Sequence, residues 1–236
     1  MEINLAYGEG RLSITCPEDR VTVIEPTGLP GLHDEKAAVL DALNSPIGAQ
    51  PLKQVAKPDM RICILFTDIT RATPNERIIP WLLEHLDHVP RDNITLLNQT
   101  GTHRPNTESE LQKMLTPEVM KNYRVLNHCC DESNGLVQLG ETRDGMPALL
   151  NKHAVEADLR IVTGFIEPHL FAGFSGGPKG LMPGVAGLET VMSNHGATNI
   201  GDPNATFGIT HGNPIWEEIM EIAQRTGPNF ILNVTL

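Results

Sequence analysis

The feature that most constrains the fold is a repeated order of apolar segment, polar loop and helix-like segment. Residues 62–66 are a continuous apolar run, Ile-Cys-Ile-Leu-Phe, which is typical of a strand buried on both faces of a parallel sheet. The polar loop TDITRATP follows, and Pro74 then opens the helical segment NERIIPWLLEHL. This order predicts an α/β fold with a Rossmann-like, doubly wound and mostly parallel sheet.

The same order recurs along the chain. NITLLNQTGTHRPN, residues 93–106, predicts a strand and a loop, and Thr107 and Glu110 are spaced as the capping box of the next helix, TESELQKML. DLRIVTGFIEPH, residues 158–169, predicts a strand that runs into a Gly-rich loop. Other predicted strands are YRVLNHCC and NFILNVTL, and other predicted helices are DEKAAVLDALNSP, the region around GLETVMSNHG, and NPIWEEIMEIAQRTG.

The two ends of the chain differ from this central pattern. INLAYGEGRLSITCP, residues 3–17, predicts an N-terminal β-hairpin with a Gly-containing turn. The segment NFILNVTL is followed by no helix that would cover a last strand. The chain therefore looks cut after this strand, and we expect a second domain to have been removed or to be supplied separately.

The acidic balance of the chain limits its partners. Asp and Glu number 29 against 18 Lys and Arg, which gives a formal net charge of −11, and no basic run occurs. This excludes nucleic acid as a partner. An anionic substrate would need a local basic pocket, because the overall field of the chain repels it.

The sequence predicts neither a membrane segment nor a disulfide framework. No apolar run approaches the roughly 20 residues of a membrane-spanning helix, and residues 1–12 lack the charged and apolar regions of a signal peptide. Cys16, Cys63, Cys129 and Cys130 show no C-x-x-C spacing. We expect free thiols in a reducing compartment, and therefore a soluble, cytoplasmic protein without a membrane partner.

Three polar loops each follow a predicted strand, namely TDITRATP, GTHRPN and EPHLFAGFSGGPKG. Ligands of doubly wound sheets bind beyond the carboxyl ends of the strands. The sequence therefore predicts one shared site that these loops form together.

The last of these loops begins a run with an unusual content of glycine and proline. Residues 167–187 hold six glycines and three prolines, more than a helix or strand interior tolerates. GFSGGPKG is not a Walker A motif, because Pro178 replaces its last Gly and Gly180 replaces its Ser or Thr. Successive N–H groups could still bind a phosphate. Lys179 could be a surface lysine, a phosphate contact or a covalent anchor, and its spacing does not decide between them.

Of the nine histidines, His103, His169 and His195 each lie in or just after a Gly-rich loop. His103 and His169 fall at predicted strand ends, where two imidazoles could face one ligand. They could perform acid–base chemistry on both faces of a substrate, bind zinc, or be structural. The other histidines are predicted to be surface or turn residues: His33, His85, His88, His128, His153 and His211.

The segment TDITR places Asp68 and Arg71 in one tight loop. Asp68 could be a helix N-cap beside a solvated Arg71. Alternatively, Asp68 binds a ribose or an imidazole and Arg71 binds an anion. The sequence leaves both interpretations open.

Taken together, these segments resemble the nickel-dependent lactate racemase family in its N-terminal domain. TDITRATP, TGTHRP, GFIEPHLFAGFSGGPKGLMPGVAG and NHG occur in the order of that family and at close to its spacing. The resemblance covers nearly the whole chain. It implies that residues 1–236 are an N-terminal, cofactor-binding catalytic domain and that the C-terminal substrate domain is absent from this chain. Pro178 and Gly180 depart from it, because better-known members carry a basic and a small polar residue around the lysine.

The resemblance implies a cofactor and a role for each candidate residue. Lys179 would carry the nickel-pincer nucleotide, pyridinium-3,5-bisthiocarboxylic acid mononucleotide, through a thioamide bond. His195 would be the nickel ligand of the protein, and His103 and His169 would be the acid–base pair. The nucleotide would be held in part by the loop residues Asp68, Ile69, Thr70 and Arg71.

The implied function is a racemase or epimerase of a small, lactate-like 2-hydroxy acid that works by reversible hydride transfer to this cofactor. The implied partners are the substrate, the C-terminal domain and the proteins that make the cofactor, and the isolated domain is expected to be inactive. Two alternatives remain open. One is a nucleotide-dependent phosphoryl or acyl transferase, and the other is a nucleotide-binding module without catalysis.

Overall fold

The structure is a computed structural model that describes residues 1–8, 10–25, 27–227 and 229–235. Within these residues the chain divides into two compact units, which meet between His33 and Asp34 along the sequence. The second unit holds the predicted sheet and all of the candidate site residues.

The first unit is built on an antiparallel hairpin. Strand β1 (Glu2–Tyr7) pairs with β2 (Gly10–Thr15), and Ile3 lies opposite Ile14. The predicted N-terminal hairpin is confirmed, although Glu9 of its turn lies outside the described residues.

The second unit alternates strands and helices, as the sequence predicts. Its strands are β3 (Ile62–Thr67), β4 (Ile94–Gln99), β5 (Arg124–Asn127), β6 (Leu136–Glu141), β7 (Pro147–Asn151), β8 (Leu159–Phe165), β9 (Pro168–His169), β10 (Gly173–Phe174) and β11 (Asn229–Val234). Its helices are α1 (Glu35–Asn44), α2 (Leu52–Val55), α3 (Asn75–His85), α4 (Glu108–Leu115), α5 (Pro117–Asn122), α6 (Lys152–Val155), α7 (Leu188–Asn194), α8 (Ala197–Ile200) and α9 (Pro214–Gln224).

Among the described residues, five strands form a wholly parallel sheet in the order β11-β8-β3-β4-β5. Counted in chain order and read from β5, this is the order 3-2-1-4-5 of a Rossmann-like sheet. The predicted doubly wound α/β fold is therefore confirmed. The strand order reverses between β3 and β8, which is the place where ligands of such sheets bind.

The central strand β3 shows why its sequence is continuously apolar. All of its residues are buried. Ile64 and Phe66 pack into a cluster with residues of α1, α3, α4 and α5, whereas Cys63 and Leu65 pack with residues of α6 and α9. Because successive side chains of a strand point to opposite faces, helices cover both faces of the sheet, as expected for a parallel sheet.

Side-chain caps fix where the helices begin after the loops. Thr107 Oγ1 accepts a hydrogen bond from the Glu110 N–H, and Glu110 Oε2 accepts one from the Thr107 N–H, so the predicted capping box is confirmed. Asn213 caps α9 by accepting from the Ile215 N–H, and Pro214 occupies the first helical position. Each cap of this kind stabilises a helix by about 1 kcal/mol.

The structure contains elements that the sequence did not predict. β6 and β7 form an antiparallel pair whose register shifts between Gln138 and Glu141, and α5 follows directly after α4. A register shift interrupts the alternation of apolar and polar residues, which removes the signal of a strand. The strand predicted at YRVLNHCC is limited to Arg124–Asn127, and the last strand ends at Val234, with Leu236 outside the described residues.

The prediction that His85 and His128 are surface or turn residues was wrong. His85 is 6% exposed and His128 is 1% exposed. The His128 Nε2–H donates to the Ala186 carbonyl oxygen at 2.9 Å, and its Nδ1 accepts from the Asn151 side-chain amide at 3.2 Å. The ring can be buried because both nitrogens have partners, and these partners lie far away along the sequence.

Two further expectations concern thiols and membranes. The cysteines are free, as predicted. The longest helices of the described residues, α3 and α9, have 11 residues each, which is too few to span a bilayer.

Candidate active site

A cavity of about 250 Å³ lies at the carboxyl edge of the parallel sheet, beside the reversal of strand order. The loops after β3, β4 and β8 form its walls, together with the 3-10 helix Gly177–Gly180 and α7. The structure therefore brings together the loops that the sequence predicts to converge. The candidate residues that line this cavity are Asp68, Arg71, His103, His169, Lys179 and His195.

Ile69 and Thr70 do not line the cavity, and their side chains are exposed. The Ile69 N–H donates to Asn106 Oδ1 at 3.3 Å. The N–H and Oγ1 of Thr70 both donate to Asp68 Oδ1, at 3.2 and 2.7 Å. In the protein itself these two residues therefore shape the loop that carries Asp68.

Asp68 joins the loop after β3 to the loop after β4. It is 2% exposed, and its Oδ2 lies 2.7 Å from Nδ1 of His103, whose side chain is 47% exposed. A carboxylate at this distance from an N–H makes a charge-assisted hydrogen bond. The sequence left a ribose or an imidazole open as the partner of Asp68, and the structure shows the imidazole of His103.

Asparagines that sequence reasoning missed hold the loop after β4 against the strands β4 and β5. Asn98 is fully buried, and its side-chain amide donates to Asn106 Oδ1 at 2.8 Å and to Asn127 Oδ1 at 2.9 Å. Asn127 in turn donates to the Asn106 carbonyl oxygen at 2.9 Å. The available signal was the polar Asn98 directly after the apolar Leu96 and Leu97 of β4, because a buried polar side chain needs partners.

Glycines are required where the Gly-rich loop packs closely against other parts of the chain. Gly173 has a φ of 77°, and a Cβ there would collide with the Ile209 carbonyl oxygen. A Cβ at Gly180 would collide with the side chain of Val162 on β8. This close approach of the 3-10 helix to the sheet places Lys179 at the end of β8, inside the cavity.

Lys179 lies in an environment that disfavours its charge. Burial and then the positive charge of Arg71 lower the pKa of the Lys179 amine to about 7, although Glu167 opposes the shift. A substantial fraction of this amine is therefore unprotonated at neutral pH. An unprotonated lysine is a nucleophile, and such perturbed groups in a cleft are candidates for a functional role.

His169 and His195 flank Phe171. Their ring centroids lie 4.7 and 4.9 Å from that of Phe171, and both contacts are edge-to-face. Burial, followed by the charge of Lys179, lowers the pKa of both imidazoles to about 4, and Arg71 and His195 contribute further to the shift of His169. Both rings are therefore neutral at neutral pH, the state in which an imidazole accepts a proton or binds a metal.

The hydrogen bond of His195 leaves one specific nitrogen free for a ligand. Its Nδ1–H donates to Asn194 Oδ1 at 2.9 Å. The amide of Asn194 is itself oriented, because its Nδ2 donates to the Ile215 carbonyl oxygen at 3.2 Å and to Glu218 Oε2 at 2.7 Å. The lone pair of His195 therefore lies on Nε2, and a buried partner on the other nitrogen is how proteins fix a metal-binding imidazole.

The described residues contain no group of three or more His, Cys, Asp or Glu side chains that would hold a metal ion. A metal bound by His195 would therefore need its other ligands from a bound molecule. The zinc alternative for His103 and His169 gains no support from their surroundings.

Arg71 supplies positive charge to the wall of this cavity, and Lys179 adds to it in the molecules in which its amine is protonated. The chain as a whole has a net charge of −11. These two side chains provide the local basic pocket that an anionic ligand of such an acidic chain would need.

A family model and two curated relatives point to the same protein family. A family model described as the lactate racemase N-terminal domain matches residues 7–208. The lactate racemase of Thermoanaerobacterium thermosaccharolyticum is 33% identical over an alignment of 238 residues that covers 99% of this chain and 56% of the relative. The lactate racemase of Lactiplantibacillus plantarum is 37% identical over 203 residues, 86% of this chain and 48% of the relative. The chain thus spans about half the length of these relatives.

Solved structures extend the likeness to the fold. The apoprotein of the Thermoanaerobacterium thermosaccharolyticum lactate racemase matches with a TM-score of 0.87 and 32% identity, over 100% of this chain and 56% of that chain. A Thermotoga maritima protein matches with a TM-score of 0.71 over 88% of this chain and 53% of that chain, and at 23% identity it shows a shared fold alone. From the family match, the identities and the fold, the chain belongs to the lactate racemase family and corresponds to its N-terminal domain.

Proposed function

We propose that this chain is the cofactor-binding and catalytic part of a racemase or epimerase of a small 2-hydroxy acid such as lactate. We further propose that Lys179 holds a nickel-pincer nucleotide and that His195 binds its nickel. The observation that carries the proposal is the content of one cavity: an amine with a pKa of about 7 and three imidazoles, at His103, His169 and His195.

The residues of the cavity fit this cofactor. A thioamide bond forms from an unprotonated amine, and burial beside Arg71 supplies one at Lys179. Asn194 holds His195 with its Nε2 lone pair free. Nickel accepts imidazole nitrogen together with soft sulfur ligands, so one histidine is sufficient when the remaining ligands come from the nucleotide.

When bound, the nucleotide supplies the hydride acceptor that converts a chiral 2-hydroxy acid into a planar 2-keto acid and back. His103 and His169 take up and return the hydroxyl proton of the substrate, one for each face. Arg71 attracts the anionic groups of the ligands. The hydrogen bonds that His103 donates to Asp68 and that His195 donates to Asn194 keep these rings in place.

We also propose that turnover needs a second, C-terminal domain. Once Lys179 is used for attachment it loses its charge, which leaves Arg71 as the cationic side chain of the described cavity wall for both the cofactor and the substrate carboxylate. Further groups from another domain would bind the substrate, and the isolated chain would hold the cofactor without racemising. The expected partners are therefore this domain and the proteins that make the cofactor, in the cytoplasm.

A phosphoryl transferase is less compatible with the cavity. Among the described residues that line it, Asp68 is the carboxylate, and its two oxygens already accept hydrogen bonds from Thr70 and His103. Magnesium prefers carboxylate oxygen ligands together with substrate phosphates. Magnesium-dependent binding of ATP would nonetheless favour this alternative.

The test is the nickel content of the chain after co-production with the cofactor-making proteins. Lys179→Arg keeps a long basic side chain but cannot form a thioamide, so we expect the purified variant to retain no nickel. His195→Ala is expected to keep the nucleotide but to lose nickel to a chelator, because the two bonds are separate. Lys113→Arg and His33→Ala alter exposed side chains and serve as matched controls. Full nickel retention in Lys179→Arg would contradict the proposal.

A further inference from the structure

His103 and His169 both line the cavity with an imidazole, but the Nδ1 atoms of the two rings have hydrogen-bond partners of opposite kind. Nδ1 of His103 lies 2.7 Å from Oδ2 of Asp68. Nδ1 of His169 instead lies 3.3 Å from the backbone nitrogen of Ala172, whose N–H donates to it. The two imidazoles are therefore not equivalent in the protein itself.

These partners fix the tautomer of each ring. A carboxylate accepts hydrogen bonds, whereas a backbone N–H donates them. Nδ1 of His103 therefore carries the proton, and Nδ1 of His169 carries a lone pair. When each imidazole is neutral it has one ring proton, and Nε2 of His103 is then the free acceptor and Nε2 of His169 a donor.

We propose that Asp68 and the Ala172 N–H give the two histidines different starting roles: His103 is the ready base, and His169 is at first a hydrogen-bond donor to the substrate oxygen. Both positioning groups act through the imidazoles. For His169 to become a base, its Nε2 proton must leave and a proton must bind Nδ1, which breaks the hydrogen bond from Ala172.

The surroundings of His169 oppose this exchange. The Phe171 ring packs edge-to-face against the imidazole, with centroids 4.7 Å apart, and this contact restricts rotation of the imidazole ring. Asp68 is also restrained, because Thr70 donates twice to its other oxygen. Each tautomer is therefore supported by contacts beyond a single hydrogen bond.

The chemical consequence rests on the proposed function, whereas the tautomers do not. The enantiomer whose hydroxyl group faces His103 would be oxidised without a tautomer change, and the other enantiomer only after one. The overall equilibrium between enantiomers is unaffected, because mirror-image substrates have equal free energies. The difference would be visible in single-turnover rates and not in the final ratio of products.

The test is long-range ¹H–¹⁵N NMR of the histidine rings in the chain without cofactor, near neutral pH. His103→Gln and His169→Gln assign the two sets of signals. We expect the Nδ1–H tautomer at His103 and the Nε2–H tautomer at His169. Finding the same tautomer at both residues would overturn the proposal.

A variant separates positioning from general structural effects. A hydrogen bond to a charged group favours one state by about tenfold or more, so Asp68→Ala is expected to abolish the preference at His103 and to leave His169 unchanged. Asp158→Ala removes an aspartate that pairs with Arg61 outside the cavity, and it is the matched control. An unchanged His103 tautomer in Asp68→Ala would contradict the role of Asp68. Since the sample contains no cofactor, these outcomes are independent of whether Lys179 is ever loaded.

Discussion

Lys179 should react with a small acylating reagent at neutral pH much faster than an exposed lysine of the same chain. Burial and the charge of Arg71 lower the pKa of its amine from the ordinary 10.5 to about 7. At pH 7 about half of the amine would then be unprotonated, against roughly one part in 3000 for an ordinary lysine. The unprotonated fraction is therefore larger by a factor of about 1500.

A lower pKa also makes the free amine a weaker nucleophile. With a Brønsted coefficient of about 0.4–0.5, the value for thiols, a decrease of 3.5 pKa units lowers the intrinsic reactivity by roughly 40-fold. The net advantage of Lys179 at pH 7 is therefore roughly 40-fold. Partial burial slows the approach of a reagent, so the reagent has to be small.

The assay is competitive acetylation with a trace of labelled reagent, followed by peptide mass spectrometry over a range of pH. The exposed Lys113 serves as the internal reference. Labelling of Lys179 is expected to reach half of its maximum near pH 7, and Arg71→Gln is expected to move that point upward. If Lys179 is labelled at pH 7 no faster than Lys113, the described environment of its amine is incorrect.

Three further outcomes follow from the structure. In the complete, cofactor-loaded enzyme, His103→Ala and His169→Ala should each abolish racemisation from both enantiomers, because a full cycle uses both rings. Chiral chromatography of lactate measures this racemisation, and near-normal activity in either variant would contradict the two-base role. The lowered pKa values of His169 and His195, about 4 against 6.5, mean that the unfolded chain binds more protons between these pH values, so stability should fall as the pH falls from about 6.5 to 4. The free energy of unfolding, measured with urea, should decrease less over this pH range in a His169→Gln, His195→Gln double variant than in the unchanged protein. An equal decrease would refute the assignment of the effect to these two histidines. Gly173→Ala should lower the free energy of unfolding by more than the roughly 1–2 kcal/mol of a left-handed alanine, because its Cβ meets the Ile209 carbonyl. The control is Gly145→Ala, because Gly145 has a similar φ of 76° and no neighbour near an added Cβ. An equal loss of unfolding free energy in both variants would mean that the collision with the Ile209 carbonyl contributes nothing.

The sheet and the convergence of its loops could be predicted from sequence because both depend on local patterns. The apolar run of β3 identifies a strand buried on two faces, and parallel strands bring their carboxyl ends to one edge. The positions of His103, His169 and Lys179 in loops after such strands then placed them near one another. Family-specific motifs added the individual roles, which remain predictions.

Contacts between distant residues could not be predicted in the same way. The hydrogen bond from His103 to Asp68 joins residues 35 positions apart, and local sequence patterns left a helix N-cap role, a ribose and an imidazole open for Asp68. His128 was assigned to the surface because histidine is usually exposed at least in part, whereas Asn151 and Ala186 satisfy it in the interior. The hydrogen bond between His195 and Asn194 could have been predicted, since the two residues are adjacent. The orientation of the Asn194 amide could not, because it depends on Glu218 in α9.

The most direct test of the central claim is the mass of the peptide that contains Lys179, after the chain is produced together with the cofactor-making proteins. We expect this peptide to carry the nucleotide, linked to the lysine nitrogen, and the other lysine-containing peptides of the same sample to be unmodified. The mass difference and the fragment ions locate the bond without any requirement for turnover. An adduct on a different lysine would contradict the account. So would an unmodified Lys179 under conditions in which a related lactate racemase, produced as a control, carries the nucleotide.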